Sequence, residues 1–233
     1  AIIGLLGYLR YGVVNAKARQ AHLMTCLRLA LRRVGHGNFA AHRTAACHLS
    51  ERALSELEWW SRLRREDCVA PIQSPPVTLV VASDASDTGA GWHIQIGEQR
   101  WTGQSPLPPS LIGASSAARE LWAAREAVRS ALKQLPSRTS WGVLLLRSDS
   151  QAACGCLRRA YSSRPLMMSL ALDVWLEATA AHLILRAQFI PREANQLADA
   201  LSKYHSPLNE ATMATGAVDL VTRPLRGPTP SQD

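Results

Sequence analysis

Lysine is nearly absent from this chain of 233 residues. Of its 26 basic side chains only Lys17, Lys133 and Lys203 are lysine, and the rest are arginine. Acidic residues are also in the minority, 18 against 26, so the net charge is +8 and the isoelectric point about 9.8. An arginine-heavy surface favours a phosphate-bearing partner, because the planar guanidinium forks onto phosphate oxygens. Cysteine is sparse too. The five residues Cys26, Cys47, Cys68, Cys154 and Cys156 form neither a CxxC pair nor a disulfide-like framework, which points to free thiols in a reducing, intracellular setting (cytoplasm or nucleus, not secreted). Cys47-His48 near His42 lacks the second ligand pair that a zinc site needs. Long apolar runs are missing as well. The opening Ala1–Gly7 is interrupted by Arg10, far short of the ~20 residues of a membrane span, and it lacks the basic start and cleavage site of a secretory signal. No membrane partner is expected, and an opening without methionine suggests a fragment of a longer polypeptide.

What is present divides by charge and by pattern. Residues 1–70 hold 11 basic and 5 acidic side chains, 71–205 hold 13 and 10, and 206–233 hold 2 and 3. Within 19–34, Leu23, Leu27, Leu31 and Val34 recur at helical spacing beside Arg28, Arg32 and Arg33, the pattern of an amphipathic basic helix. A second helix is predicted after Ser50, with Leu54, Leu57, Trp60 and Leu63 on one face and Arg62, Arg64 and Arg65 near its end. The apolar stripes read as core-facing, and the six arginines are candidate nucleic-acid contacts. Three prolines within Pro71–Pro76 forbid helix and central strand and mark a boundary. Beyond it come a β-prone run Val77–Ala82, a turn at Gly89–Gly91 into Trp92–Ile96 with a return over Glu98–Trp101, and a helix capped by Ser115 or Ser116 reaching Gln134. A strand Trp141–Arg147, a helix of about ten residues from Ser150, and another over Pro165–Ala181 follow. A strand His182–Phe189 and a short helix Gln196–Lys203 complete the order β-β-β-α-β-α-α-β-α. Pro, Gly and Thr dominate 206–233, a linker or tail.

Four acids stand out by position. Taken singly, Asp84 reads as a turn residue, Asp149 as a helix cap, Glu120 as a partner of Arg119 or Arg125, and Asp199 as a surface acid. Together, Asp84 and Asp149 each end an apolar strand, and the helical crossover between those strands makes them parallel, so both carboxylates emerge at one sheet edge. Glu120 lies one turn into the crossover helix, and Asn195 and Asp199 share a helical face after the last strand. Crowded carboxylates repel unless a cation neutralises them, and oxygen-only ligation selects Mg2+ or Mn2+ over zinc. Two such ions suit in-line phosphodiester displacement.

Ser83-Asp84-Ala85-Ser86 with Gly89-Ala-Gly91-Trp92, Ala118-Arg-Glu120-Leu121, Ser148-Asp149-Ser150-Gln151 and Asn195-x-x-x-Asp199 resemble the successive motifs of ribonuclease H type 1, over about 71–205. The run Ile190–Ser202 resembles the domain in retroelement polyproteins, including retrotransposons that use a tyrosine recombinase. Trp59-Trp60 resembles the region joining a reverse transcriptase to its ribonuclease H. The resemblance implies an α/β, ribonuclease H-like mixed five-stranded sheet with an N-terminal helical extension, and magnesium-dependent cleavage of the RNA strand of an RNA·DNA hybrid. It implies two Mg2+ ions, for which Mn2+ substitutes, with Asp84 bridging both, Glu120 and Asp149 completing one site, Asp199 holding the second and Asn195 in support. An upstream reverse transcriptase domain is the implied partner, although no Tyr-x-Asp-Asp polymerase motif is present. Asp87 and Glu126 are nearby acids that do not fit the motif. The loop Pro191–Asn195 lacks the histidine many members carry there, His182 and His205 lie outside it, and only Ala160–Arg164 stands where some members have a basic protrusion. The tryptophans 92, 101, 122, 141 and 175 read as core. Two other readings are another nuclease or integrase of the same fold and a decayed nucleic-acid-binding module.

Overall fold

The computed structural model describes residues 5–7, 12–34, 46–64, 70–71, 73–137 and 140–203. Arg65, His42, Cys68, His205 and the expected tail 206–233 lie outside the described residues. Among the described residues the longer helices before the sheet are α1, Ala21–Val34, led by a 3-10 turn Ala16–Gln20, and α2, Glu51–Ser61. Ser50 starts α2 as expected, its hydroxyl accepting from the Ala53 N–H at 3.2 Å. The sheet contains β1 (Val77–Ala85), β2 (Gly89–Ile96), β3 (Gln99–Pro106), β4 (Gly142–Ser148) and β5 (Leu183–Phe189). Between and after them run α3 (Ser116–Gln134), α4 (Gln151–Arg159), α5 (Pro165–Ala180) and α6 (Gln196–Ser202).

The strand order is β3-β2-β1-β4-β5, with β1–β2 and β2–β3 antiparallel and β1–β4 and β4–β5 parallel. That is the mixed five-stranded sheet of the ribonuclease H-like fold. Alternate strand residues such as Leu79, Val81, Trp92, Ile94, Leu144 and Leu146 bury themselves against α3 and α5. The strand β3 is longer than its sequence suggested, because it pairs with all of β2, from Ile96↔Gln99 to Gly89↔Pro106. Tertiary pairing there overrides the weak β-propensity of Gly103, Gln104 and Ser105. Trp92, Trp122 and Trp175 are buried, Trp101 packs against the core, and Trp141 stacks on His182.

The helical extension differs from its expected stripe. Leu54 is 52% exposed and Glu56 is buried. The reason is a cap: Glu56 accepts from the backbone N–H groups of His22 and Leu23, both at 2.9 Å, and so satisfies donors at the start of α1. Leu23, Cys26, Ala53 and Trp60 form a second small core, whereas Ala18 and Ala21 belong to the main one. Asn15 ties the extension further, donating to Thr179 Oγ1 at 2.8 Å and Leu183 O at 2.9 Å.

Candidate active site

Parallel pairing places two of the acids. Ala82 on β1 is in register with Arg147 on β4, so Asp84 and Asp149, each two residues on, stand side by side at the carboxyl edge. Ser115 caps α3, whose crossing of the sheet brings Glu120 down onto the same edge. A carboxylate oxygen from each of Asp84, Glu120 and Asp149 lies within 4.8 Å of the other two. Asp84 and Glu120 are buried and Asp149 is half-buried, so the group opens to solvent on the Asp149 side. A cleft of about 320 Å3 contains them together with Asp87, Arg119, Arg192, Asp199 and Lys203.

Burial raises the Asp84 pKa, a hydrogen bond from Ser202 opposes the rise, and the neighbouring Asp149 and Asp199 add to it. Glu120 is pushed up to about 9, chiefly by burial and then by the charges of Asp84 and Asp149, which a backbone hydrogen bond at Ala85 and the charge of Arg119 offset only in part. Its Oε2 is buried and has no hydrogen-bond partner. Three converging carboxylates with an orphaned oxygen among them are suited to a hard divalent cation. Sulfur does not compete, because the neighbouring Cys154 donates to Ser148 O at 3.7 Å and burial raises its pKa, keeping the thiol protonated.

Asp199 is placed differently. It lines the cleft, but Arg192 Nη2 donates to its Oδ1 at 2.9 Å and Lys203 Nζ to its Oδ2 at 2.5 Å. Partial burial tends to raise its pKa, yet the hydrogen bonds from Lys203 and Arg192 outweigh that and hold it below the usual carboxylate range. Asn195 is buried and donates to Ser83 O at 3.1 Å, which fastens the start of α6 to the residue before Asp84. Ser202 at the other end of α6 donates to Asp84 Oδ2 at 2.7 Å.

The two nearby acids that do not fit the motif are accounted for. Asp87 is exposed and pairs with Arg119. Glu126 pairs with Arg125 and Arg129, in a separate cleft with Trp92 and Gln104. Of the candidate nucleic-acid contacts, Arg32, Arg33, Arg62 and Arg64 are exposed, with Arg62 paired to Glu58. Arg28 is half-buried, its guanidinium 3.9 Å from the centre of the Tyr161 ring. Ser202, Arg192 and Lys203 were not singled out from the sequence. Spacing does carry a signal for two of them, since Asp199, Ser202 and Lys203 are three and four apart on one helix. Arg192 acts from a preceding turn and leaves no such trace.

No family model matches the chain, and no curated protein matches it in sequence. Among solved structures it is similar to ribonuclease H1 of the halophilic archaeon Halobacterium salinarum, with 19% identity, 58% of this chain and 98% of that one covered, and a TM-score of 0.45. It is similar to LC11-RNase H1 in complex with RNA/DNA hybrid, with 17% identity, 53% and 92% covered, and a TM-score of 0.44. It is also similar to a foamy viral protease-reverse transcriptase in complex with RNA/DNA hybrid, with 15% identity, 69% of this chain but 27% of that one covered, and a TM-score of 0.40. The ribonuclease H-like fold of this chain follows from its strand order and directions. Among the described residues no helix is long and apolar enough to cross a membrane.

Proposed function

We propose that this chain is a ribonuclease H that hydrolyses the RNA strand of RNA·DNA hybrids, with residues 71–205 as the catalytic domain and 1–70 as a basic helical extension. The observation that carries this reading is the meeting of Asp84, Glu120 and Asp149 at the carboxyl edge of β1 and β4, with oxygens within 4.8 Å of one another. Asp84, Glu120 and Asp149 would hold one Mg2+, and Asp84 with Asp199 a second, Mn2+ substituting for either. Bound there, such ions supply an activated water and charge stabilisation for in-line displacement at phosphorus. The chain's own part is positional. Ser202 fixes one oxygen of Asp84, Asn195 fixes the strand before it, and burial holds the Glu120 carboxyl group protonated and out of water, where it would ionise on taking up a cation. Arg192 and Lys203 keep Asp199 ionised at the mouth of the cleft.

The biological setting is a retroelement polyprotein, in which an upstream reverse transcriptase domain is the partner. Support comes from the likeness of Ile190–Ser202 and Trp59-Trp60 to that class. The deciding experiment incubates labelled hybrid with the chain, with and without magnesium. RNA fragments ending in 3′-hydroxyl and 5′-phosphate are expected, with little cutting of DNA duplex. Equal cutting of both strands, or cleavage undiminished in EDTA, would sink the reading.

A further inference from the structure

The helices α1 and α5 lie alongside each other in opposite directions. His22 lines the same cleft as Ser169 and Asp173, and Thr25 Oγ1 is 3.9 Å from Met168 Sδ. The guanidinium of Arg28 stands 3.9 Å from the centre of the Tyr161 ring. Each step forward along α1 is thus a step back towards the connection Ala160–Arg164, which joins α4 to α5. The basic end of α1 is delivered to that connection. Arg32 stands one turn, about 6 Å, beyond Arg28, with Arg33 next to it. Arg158 and Arg159 end α4, and Arg164 immediately precedes α5.

Five of these six arginines are exposed, and among the described residues none of the six is ion-paired with a carboxylate. Arg125 and Arg129, elsewhere on the helical layer, do pair, with Asp173 and Glu177. Arg28 serves as the joint: a cation resting on the Tyr161 ring holds the two basic ends together against their mutual repulsion. A cluster of this kind keeps a shell of counter-anions in water, and a phosphate backbone gains affinity by displacing it.

We propose that this arginine surface, built half by α1 of the extension and half by the α4–α5 connection, holds the phosphate backbone of a nucleic-acid duplex. Its identification with the RNA·DNA hybrid rests on the function proposed above; its chemistry does not. The helix α4 starts two residues after Asp149 and ends at Arg159, so its arginines lie about 13 Å along the helix from the acidic group. That is about four base-pair steps of a duplex, so one duplex reaches both places.

The test is hybrid binding by the full chain carrying Asp84→Asn, followed across a salt series. Arg32→Gln with Arg33→Gln, and Arg159→Gln with Arg164→Gln, are each expected to weaken binding about tenfold at moderate salt. Each pair should also lower the magnitude of the slope of log affinity against log salt by about one to two. All four together should lose more on both counts, while Arg32→Lys with Arg33→Lys retains the slope and Arg129→Gln leaves binding unchanged. A fourfold variant with the parent's affinity and slope overturns the proposal. So does a polyglutamate peptide that binds this surface more tightly than the hybrid, which would make it a protein-docking site. If the intact chain cuts no hybrid yet loses duplex binding with these arginines, the surface stands and the nuclease reading falls.

Discussion

At Glu120 a buried carboxyl group sits beside two others, and its protonation is linked to the stability of the fold. Its pKa rises from 4.5 in the unfolded chain to about 9 in the metal-free native state. Below pH 4.5 the group is protonated in both states and costs nothing. Between 4.5 and about 9 only the native state keeps the proton, so stability is progressively lost as pH rises through that window. Melting temperature in EDTA should therefore fall from about pH 5 to about pH 9, and magnesium should flatten the fall by favouring the ionised form. Glu120→Gln should remove this part of the pH dependence and raise metal-free stability at pH 8 by about 1–3 kcal/mol. An unchanged pH profile in Glu120→Gln would contradict the assignment. At the neighbouring positions, Asp84→Asn and Asp149→Asn should cut hybrid cleavage at least about a hundredfold with the fold intact, because each removes a charge and no volume. Asp87→Asn should be mild, since Asp87 is exposed and bonded to Arg119. A dead Asp87→Asn beside an active Asp84→Asn, measured on the same hybrid, would reverse the motif.

At the scale of the elements, α6 is held close against the sheet. It packs so closely on β2 that a Cβ at Gly91 would come within 2.5 Å of Ala198 O and Leu201 C, and closer still to Ser202 N. These are backbone atoms and cannot swing aside. Gly91→Ala should therefore push α6 outward, destabilise the chain by about 2 kcal/mol or more, and spoil the Ser202–Asp84 bond. Gly97, in the β2–β3 turn, has a positive φ of 58° but open space around it. Gly97→Ala should cost only about 1 kcal/mol and leave cleavage unaltered. Comparing the two variants by thermal melting and hybrid cleavage separates a glycine required for approach from one required for its turn. Equal losses in both would mean that α6 is free to shift.

For the whole molecule, the extension is bound into the fold and is not a detachable arm. Ala18 and Ala21 enter the main core, and Asn15 bonds α5 and the start of β5. Deleting residues 1–70 should lower the melting temperature as well as weaken hybrid binding and flatten its salt dependence. The comparison of 1–233 with 71–205 is made by salt titration in an Asp149→Asn background with magnesium present. Identical binding and slope in the two would leave the arginines of α1 facing solvent.

Local pattern was enough to foresee the elements themselves. Alternating and continuous apolar runs located the strands, Ser50 and the pair Ser115-Ser116 marked helix starts, and the position of Asp84 and Asp149 after parallel strands implied their meeting, which the register bears out. Periodicity could not see a partner distant in the chain. It put Leu54 inside and left Glu56 unremarked, because only the approach of α1 gives that carboxylate two backbone donors. It could not foresee that Arg192 and Lys203 close on Asp199, nor that Arg28 rests on Tyr161, since both depend on how separate elements are set against one another. The residue types and their order thus determined the fold class and the candidate acids. Tertiary packing alone decided which charges are paired, which are buried, and where the exposed arginines of α1 and α4 gather, because desolvation and Coulomb interaction depend on distances that the order of residues does not specify.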